Sequence, residues 1–101
     1  MTPVAARRAP VTVRTEPGAV VLEVADLLDA GTGAALLAAA EAATAKDPQR
    51  VDIDLTALRS WTQEGAAALV QCREVCSDLP EGLHYRTGRG PGRAALLAAY
   101  S

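Results

Sequence analysis

The chain has 101 residues, of which 10 are basic and 12 acidic, and its formal net charge is -2 at pH 7. This length is enough for one modest hydrophobic core and too short for two. The charge balance and the aromatic content of 3% exclude a basic, aromatic-rich surface of the kind that binds nucleic acid. Because Phe is absent, the core must be built from Ala, Leu and Val.

The sequence predicts a cytoplasmic protein without a membrane span. No apolar run reaches the roughly 18 residues of a spanning helix, and no signal peptide is visible. Cys72 and Cys76 lie four residues apart on a predicted helix, where a disulfide is geometrically poor. They are interpreted as small core residues in a reducing compartment. Since the single histidine, His84, is far from them in sequence, neither a metal nor a cofactor is predicted.

The first half of the chain predicts two strands and a helix after a flexible lead-in, residues 1–10. Alternating apolar residues predict a strand over 11–15, and the apolar run Ala19–Val24 predicts a second strand. The Glu16-Pro17-Gly18 segment between them is typical of a tight turn, which favours antiparallel strands. Residues 26–33 are predicted to be a link in which Asp29, Thr32 or both cap the helix that follows. The Ala- and Leu-rich residues 34–45 then predict a helix.

The second half alternates strands with helices. Strands are predicted over residues 50–55 and 83–87, and helices over 63–79 and 93–100. The order β-β-α-β-α-β-α predicts a single α/β domain over residues 11–101. Its four-stranded mixed, mainly parallel sheet is packed by about three helices.

The junction after the third predicted strand is the expected functional region. It consists of a loop, residues 56–61, and the start of the second long helix. Open α/β sheets usually place their working surface at the carboxyl ends of strands. Thr62 is the predicted N-cap of the helix, with its hydroxyl accepting a hydrogen bond from an amide of the first turn.

Several short motifs occur in a characteristic order. Leu28-Asp29 precedes the first helix, residues 51–56 read VDIDLT, and residues 62–65 read TQEG. These motifs resemble the Leu-Asp, Asp-Leu-Ser and Asp-Ser-Ser-Gly motifs of the STAS domain, the fold of bacterial anti-sigma factor antagonists. Pro91–Ala99 is similar to the helix after that family's fourth strand. The resemblance covers about residues 11–100. It implies a STAS-like fold, a role in bacterial transcription regulation, and a protein partner such as an anti-sigma factor or kinase-like protein.

The chain departs from this family at the residue that is normally regulated. In the family, the serine directly after the motif's aspartate is phosphorylated by a partner anti-sigma kinase. Aligned on Gly65, that position is Gln63, which cannot be phosphorylated. The resemblance therefore implies a degenerate phosphorylation site. Thr62 is an alternative phosphoacceptor, weighed against its role as N-cap, and Glu64 is either a phosphoserine mimic or an ordinary first-turn acid.

Other candidate residues have simpler structural explanations. Asp52 and Asp54 point to one side of a strand, and we interpret them as a solvated polar edge or as helix caps rather than as a catalytic pair. Trp61 is either a hydrophobic staple or an exposed partner anchor accompanied by Arg59. Residues 88–93, GRGPGR, are predicted to be a flexible surface loop, because they match neither common phosphate-binding motif.

The sequence as a whole predicts a non-catalytic protein-interaction module that docks its partner through residues 56–65. Two alternatives remain open: a STAS-type adaptor subunit of an ATPase in a lipid-transport complex, and a small anion- or ligand-binding domain. The predicted partner-binding residues are Arg59, Trp61, Thr62, Gln63, Glu64 and Gly65.

Overall fold

The computed structural model describes residues 10–101, so the predicted lead-in lies outside the described residues except for Pro10. The described part of the chain forms six strands and three helices. In chain order they are β1 Val11–Glu16, β2 Ala19–Val24, β3 Asp26–Leu28, α1 Ala30–Thr44, β4 Arg50–Asp54, β5 Leu58–Trp61, α2 Gln63–Val75, β6 Gly82–Arg86 and α3 Pro91–Ala99.

Four of the strands form the main sheet, in the order β1-β2-β4-β6. The turn at Pro17-Gly18 reverses the chain, with Gly18 at a φ of 76°, so β1 and β2 pair antiparallel. The pairs β2–β4 and β4–β6 are parallel and are joined by α1 and α2. The prediction of an α/β fold with a mixed, mainly parallel sheet is confirmed.

Two short strands that the sequence did not predict form a second, parallel sheet, β3–β5. The interpretation of residues 26–33 as a link and of residues 56–61 as a loop was therefore wrong in part. Strands of three and four residues are too short to show an alternating pattern. They are held by backbone hydrogen bonds at both ends, from Asp26 N to Ala57 O at 3.2 Å and from Thr62 N to Leu28 O at 2.9 Å.

The boundaries of the helices also differ from the predicted ones. Helix α1 begins at Ala30 rather than at residue 34, because Asp29 Oδ1 accepts a hydrogen bond from Thr32 N at 2.9 Å and caps the helix there. Helix α2 ends at Val75, and residues 76–79 continue as turns. Of the predicted capping residues, Asp29 is therefore the N-cap, and Thr32 lies within the helix.

Helix α2 packs against both α1 and α3, and the hydrophobic core lies between the helices and one face of the main sheet. Alternate residues of β2, β4 and β6 face this core, as expected for a sheet covered on one side. The core residues from the main sheet are Val20, Leu22, Val24, Val51, Ile53 and Leu83, and Leu28 of β3 and Leu58 of β5 join them. Leu36, Ala40, Leu69 and Cys72 are helix residues of the same core.

The opposite face of the main sheet carries a network of ion pairs with Asp52 at its centre. Asp52 is only 2% exposed. It accepts hydrogen bonds from Arg86 Nη2 at 2.6 Å and from Arg50 Nε at 3.0 Å. The interpretation of Asp52 as part of a solvated polar edge was therefore wrong. Arg50, on the same strand, and Arg86, on the neighbouring strand β6, donate hydrogen bonds to the carboxylate and cover it.

Asp54 is buried for a different reason. Its Oδ1 accepts hydrogen bonds from Thr56 N at 2.9 Å and from Thr56 Oγ1 at 2.6 Å. The carboxylate thus fixes the turn at the end of β4 instead of capping a helix or facing solvent. This turn sets the direction in which the chain leaves the main sheet toward β5.

The two cysteines are free thiols buried in the core, Cys72 on α2 and Cys76 at the C-cap of that helix. Burial raises the pKa of Cys72 from 9.0 to about 12 and the pKa of Cys76 from 9.0 to about 11. We expect a thiol reagent at pH 8 to modify both at least about 100-fold more slowly in the native protein than in denaturant, because a pKa raised by two units lowers the thiolate fraction by that factor. The rates can be measured with a chromogenic disulfide. Equal modification rates in native buffer and in denaturant would show that the cysteines are not part of the core.

The same shifts give a pH dependence of stability. A thiol whose pKa is higher in the folded state contributes its full stability below pH 9 and loses it as the pH rises from 9 toward 12.

Candidate functional site

The candidate site lies where the parallel strands end and the helices begin. Helix α1 follows β3, α2 follows β5, and α3 follows the loop after β6. Parallel strands connected in this way bring helix N-termini to one edge of the sheet. The predicted partner-binding residues lie together at this edge, in β5 and the first turn of α2. They are Arg59, Trp61, Thr62, Gln63, Glu64 and Gly65.

Thr62 caps α2 as predicted. Its backbone is extended, and its Oγ1 accepts a hydrogen bond from Gly65 N at 3.1 Å. Its own amide is bonded to Leu28 of β3, so both sides of Thr62 are fixed. Gln63 and Glu64 follow it in the first turn with exposed side chains. The helix start therefore presents Gln63 and Glu64 to solvent on a rigid backbone.

Gly65 is buried, and its role is structural. A Cβ at this position would collide with the carbonyl oxygen of Leu28 and lie 2.9 Å from the carbonyl carbon of Asp29. Gly33 of α1 faces the same contact, since a Cβ there would lie 3.0 Å from the Cβ of Ala68. The first turns of α1 and α2 thus touch through their backbones. Gly65 positions the predicted surface and does not itself face outward.

Trp61 and Arg59 occupy different environments within β5. Trp61 is half-buried, packs against the hydrophobic core, and is paired in register with Leu28. This position favours the interpretation of Trp61 as a hydrophobic staple at the start of α2 over its interpretation as an exposed partner anchor. Arg59 is exposed.

One exposed apolar residue beside these positions was missed by sequence reasoning. Leu27 of β3 is 42% exposed and is paired in register with Ser60. Its neighbour Leu28 is fully buried. The Leu27-Leu28 doublet gave no signal of which leucine faces the core, because β3 is too short to show a period.

Residues 88–93 lie at the same edge, and the prediction of a flexible loop over them was wrong in part, because α3 already begins at Pro91. Glycines shape this segment. Gly88 has a φ of 60° and lies beside Thr56, and Gly90 has a φ of 94° at the N-cap of α3. Gly92 is buried, and a Cβ there would lie 2.9 Å from the Cβ of Leu55. Close packing of α3 on the end of β4 explains this glycine without a bound anion.

The helices offer no route across a membrane. Among residues 10–101, none is long and apolar enough to span a bilayer.

Comparison with solved structures places this arrangement in a known fold. The chain is similar to the crystal structure of an anti-sigma factor antagonist from Mycobacterium paratuberculosis, with a TM-score of 0.71 and 28% sequence identity. The similarity covers 89% of this chain and 77% of that one. The chain has a STAS-like fold. The resemblance noted from the sequence is thereby confirmed at the level of the fold.

A second solved structure shares the STAS-like fold more distantly. A structure described as Mglu matches with a TM-score of 0.63 and 17% identity, over 80% of this chain and 20% of that chain. At this identity the likeness concerns the fold alone. No protein-family model and no curated protein matches the sequence.

Proposed function

We propose that this STAS-like chain is a non-catalytic protein-interaction module that acts as an anti-sigma factor antagonist. Its partner is an anti-sigma factor or a related kinase-like protein, which docks on β5 and the first turn of α2. The docking surface, defined as Arg59, Ser60, Gln63 and Glu64, consists of exposed side chains at the carboxyl edge of the sheet. Thr62 and Gly65 hold its backbone in place.

The observation that carries this proposal is the position of Gln63. It is the exposed first residue of α2, directly after the N-cap Thr62, in a fold shared with an anti-sigma factor antagonist. A phosphate in a first helical turn would be stabilised by the helix dipole and free amides while adding about two negative charges to the docking surface. Gln63 has no hydroxyl and therefore no second charge state. We infer that docking here is not controlled by phosphorylation at residue 63.

The proposal is tested by mixing the protein with each anti-sigma factor kinase of its source organism, with and without ATP. Calorimetry measures binding, and mass spectrometry locates any phosphate. We expect one of these kinases to bind with an affinity that ATP treatment leaves unchanged, and no phosphate on the chain. If none of the kinases binds, the proposed function is wrong. Phosphate on Thr62 would contradict the loss of the switch.

A Gln63→Ser variant provides the matched control. It restores a hydroxyl at the exposed first-turn position without changing the Thr62 cap. We expect the kinase that binds the wild-type chain to phosphorylate this variant, and the phosphorylated form to bind at least about tenfold more weakly, since an added unpaired charge at an interface costs more than 1.4 kcal/mol. A phosphorylated variant that binds as well as the wild-type chain would place the docking surface elsewhere.

A further inference from the structure

A large apolar side chain is held in an exposed position next to the docking surface. Leu27 is the middle residue of β3 and is paired with Ser60 of β5. Paired residues of adjacent strands project from the same side of a sheet, so Leu27 and the exposed Ser60 lie side by side. The two-stranded sheet β3–β5 therefore joins an apolar side chain to the residues of the docking surface.

The backbone before Leu27 adopts an uncommon conformation. Asp26 has a φ of 67°, one of two positive values among non-glycine residues in the described part of the chain. The strand register shifts between Asp26 and Leu27. Such a conformation is uncommon for a non-glycine residue, although Asp adopts it more readily than most, and it persists where the surroundings hold it. Here the bond from Asp26 N to Ala57 O holds it, and Leu27 is presented outward while Leu28 remains in the core.

The charged residues around Leu27 differ from those on the main sheet. Arg14, Arg50 and Arg86 each form ion pairs with carboxylates of the sheet. Within residues 10–101, Arg59 and Asp26 form no ion pair, and both are exposed. Leu27 follows Asp26 in β3, and Arg59 precedes Ser60, the strand partner of Leu27, in β5. An apolar side chain thus lies next to charged residues that form no ion pair within residues 10–101, as at a protein interface with a polar rim.

We propose that Leu27 is the apolar anchor of the docking surface and that Arg59 receives a carboxylate of the partner. The occupant is thus a protein segment that presents an apolar side chain to Leu27 with an acidic residue next to it. This inference rests on the proposed function and adds β3 to the surface. Charge complementarity at Arg59 sets the orientation of the partner, and burial of Leu27 supplies the apolar contact.

The test compares two apolar truncations in the full chain, Leu27→Ala and Val13→Ala. Val13 is 53% exposed on the outer strand β1 and does not belong to β3 or β5. The probe is the anti-sigma factor kinase that binds the wild-type chain. We expect Leu27→Ala to weaken binding at least about tenfold, as for a residue central to an interface, and Val13→Ala to change it less than about twofold. Thermal unfolding verifies that both variants are folded.

A second variant, Arg59→Glu, tests the charge component independently. We expect the loss of affinity caused by this substitution to be larger at low salt than at high salt, because ions screen the attraction that it removes. Equal affinities of Leu27→Ala, Arg59→Glu and the wild-type chain would overturn this inference and leave the proposed function intact. Failure of the wild-type chain to bind any such kinase would overturn both.

Discussion

Replacing Gly65 with Ala is expected to lower the free energy of unfolding by about 3 kcal/mol, the upper part of the usual range for overpacking. The added Cβ would collide with backbone atoms of Leu28 and Asp29, which cannot rotate away as a side chain would. The better helix propensity of Ala offsets less than about 1 kcal/mol of this cost. Urea unfolding monitored by circular dichroism measures the difference.

Gly31→Ala is the matched control for this substitution. Gly31 is also in the first turn of a helix, is exposed, and has room for a Cβ, whose nearest atom would be Asp29 Oδ1 at 3.7 Å. We expect its free energy of unfolding to rise by less than about 1 kcal/mol. Equal free energies of unfolding for Gly65→Ala and Gly31→Ala would contradict the close contact between the starts of α1 and α2.

Replacing Asp52 with Asn is expected to cost about 2 kcal/mol of stability. Asp52 is 2% exposed and joins Arg50 of its own strand to Arg86 of β6. Removing one partner of a buried ion pair usually costs more than 3 kcal/mol, but both arginine side chains are about one-third exposed and regain some solvation. Thermal or urea unfolding measures the effect.

Glu23→Gln is the control for the loss of a carboxylate. Glu23 lies on the same face of the sheet, and its side chain is 38% exposed at 3.9 Å from Arg14. We expect this variant to change stability by less than about 1 kcal/mol, as is usual for exposed ion pairs. A cost for Asp52→Asn no larger than that of Glu23→Gln would show that the network around Asp52 does not stabilise the sheet.

The main architecture could be predicted because its elements are long and periodic. The alternation in β1 and β4, the apolar run of β2 and the Ala-rich sequence of α1 each give a strong local signal. The short strands β3 and β5 could not be predicted, because their pairing depends on contacts between segments about 30 residues apart. The start of α1 depended on which of two capping residues was used, and the sequence left both open.

The site was predictable where it rests on local chemistry and not where it depends on tertiary packing. The Thr62 cap follows from the residue type and its place before a helix. Burial of Asp52 depends on Arg86, which is 34 residues away in sequence, so a strand pattern alone indicated a solvated edge. The exposure of Leu27 depends likewise on the register between β3 and β5.

The docking of a partner on the first turn of α2 is tested most directly by comparing Gln63→Asp with Gln71→Asp. Both are exposed glutamines of α2, two turns apart, and an acid near the helix N-terminus favours folding. Calorimetry against the anti-sigma factor kinase that binds the wild-type chain is expected to show at least about tenfold weaker binding for Gln63→Asp and about the same affinity for Gln71→Asp. Unchanged affinity for Gln63→Asp, or a larger loss for Gln71→Asp, would contradict the docking surface.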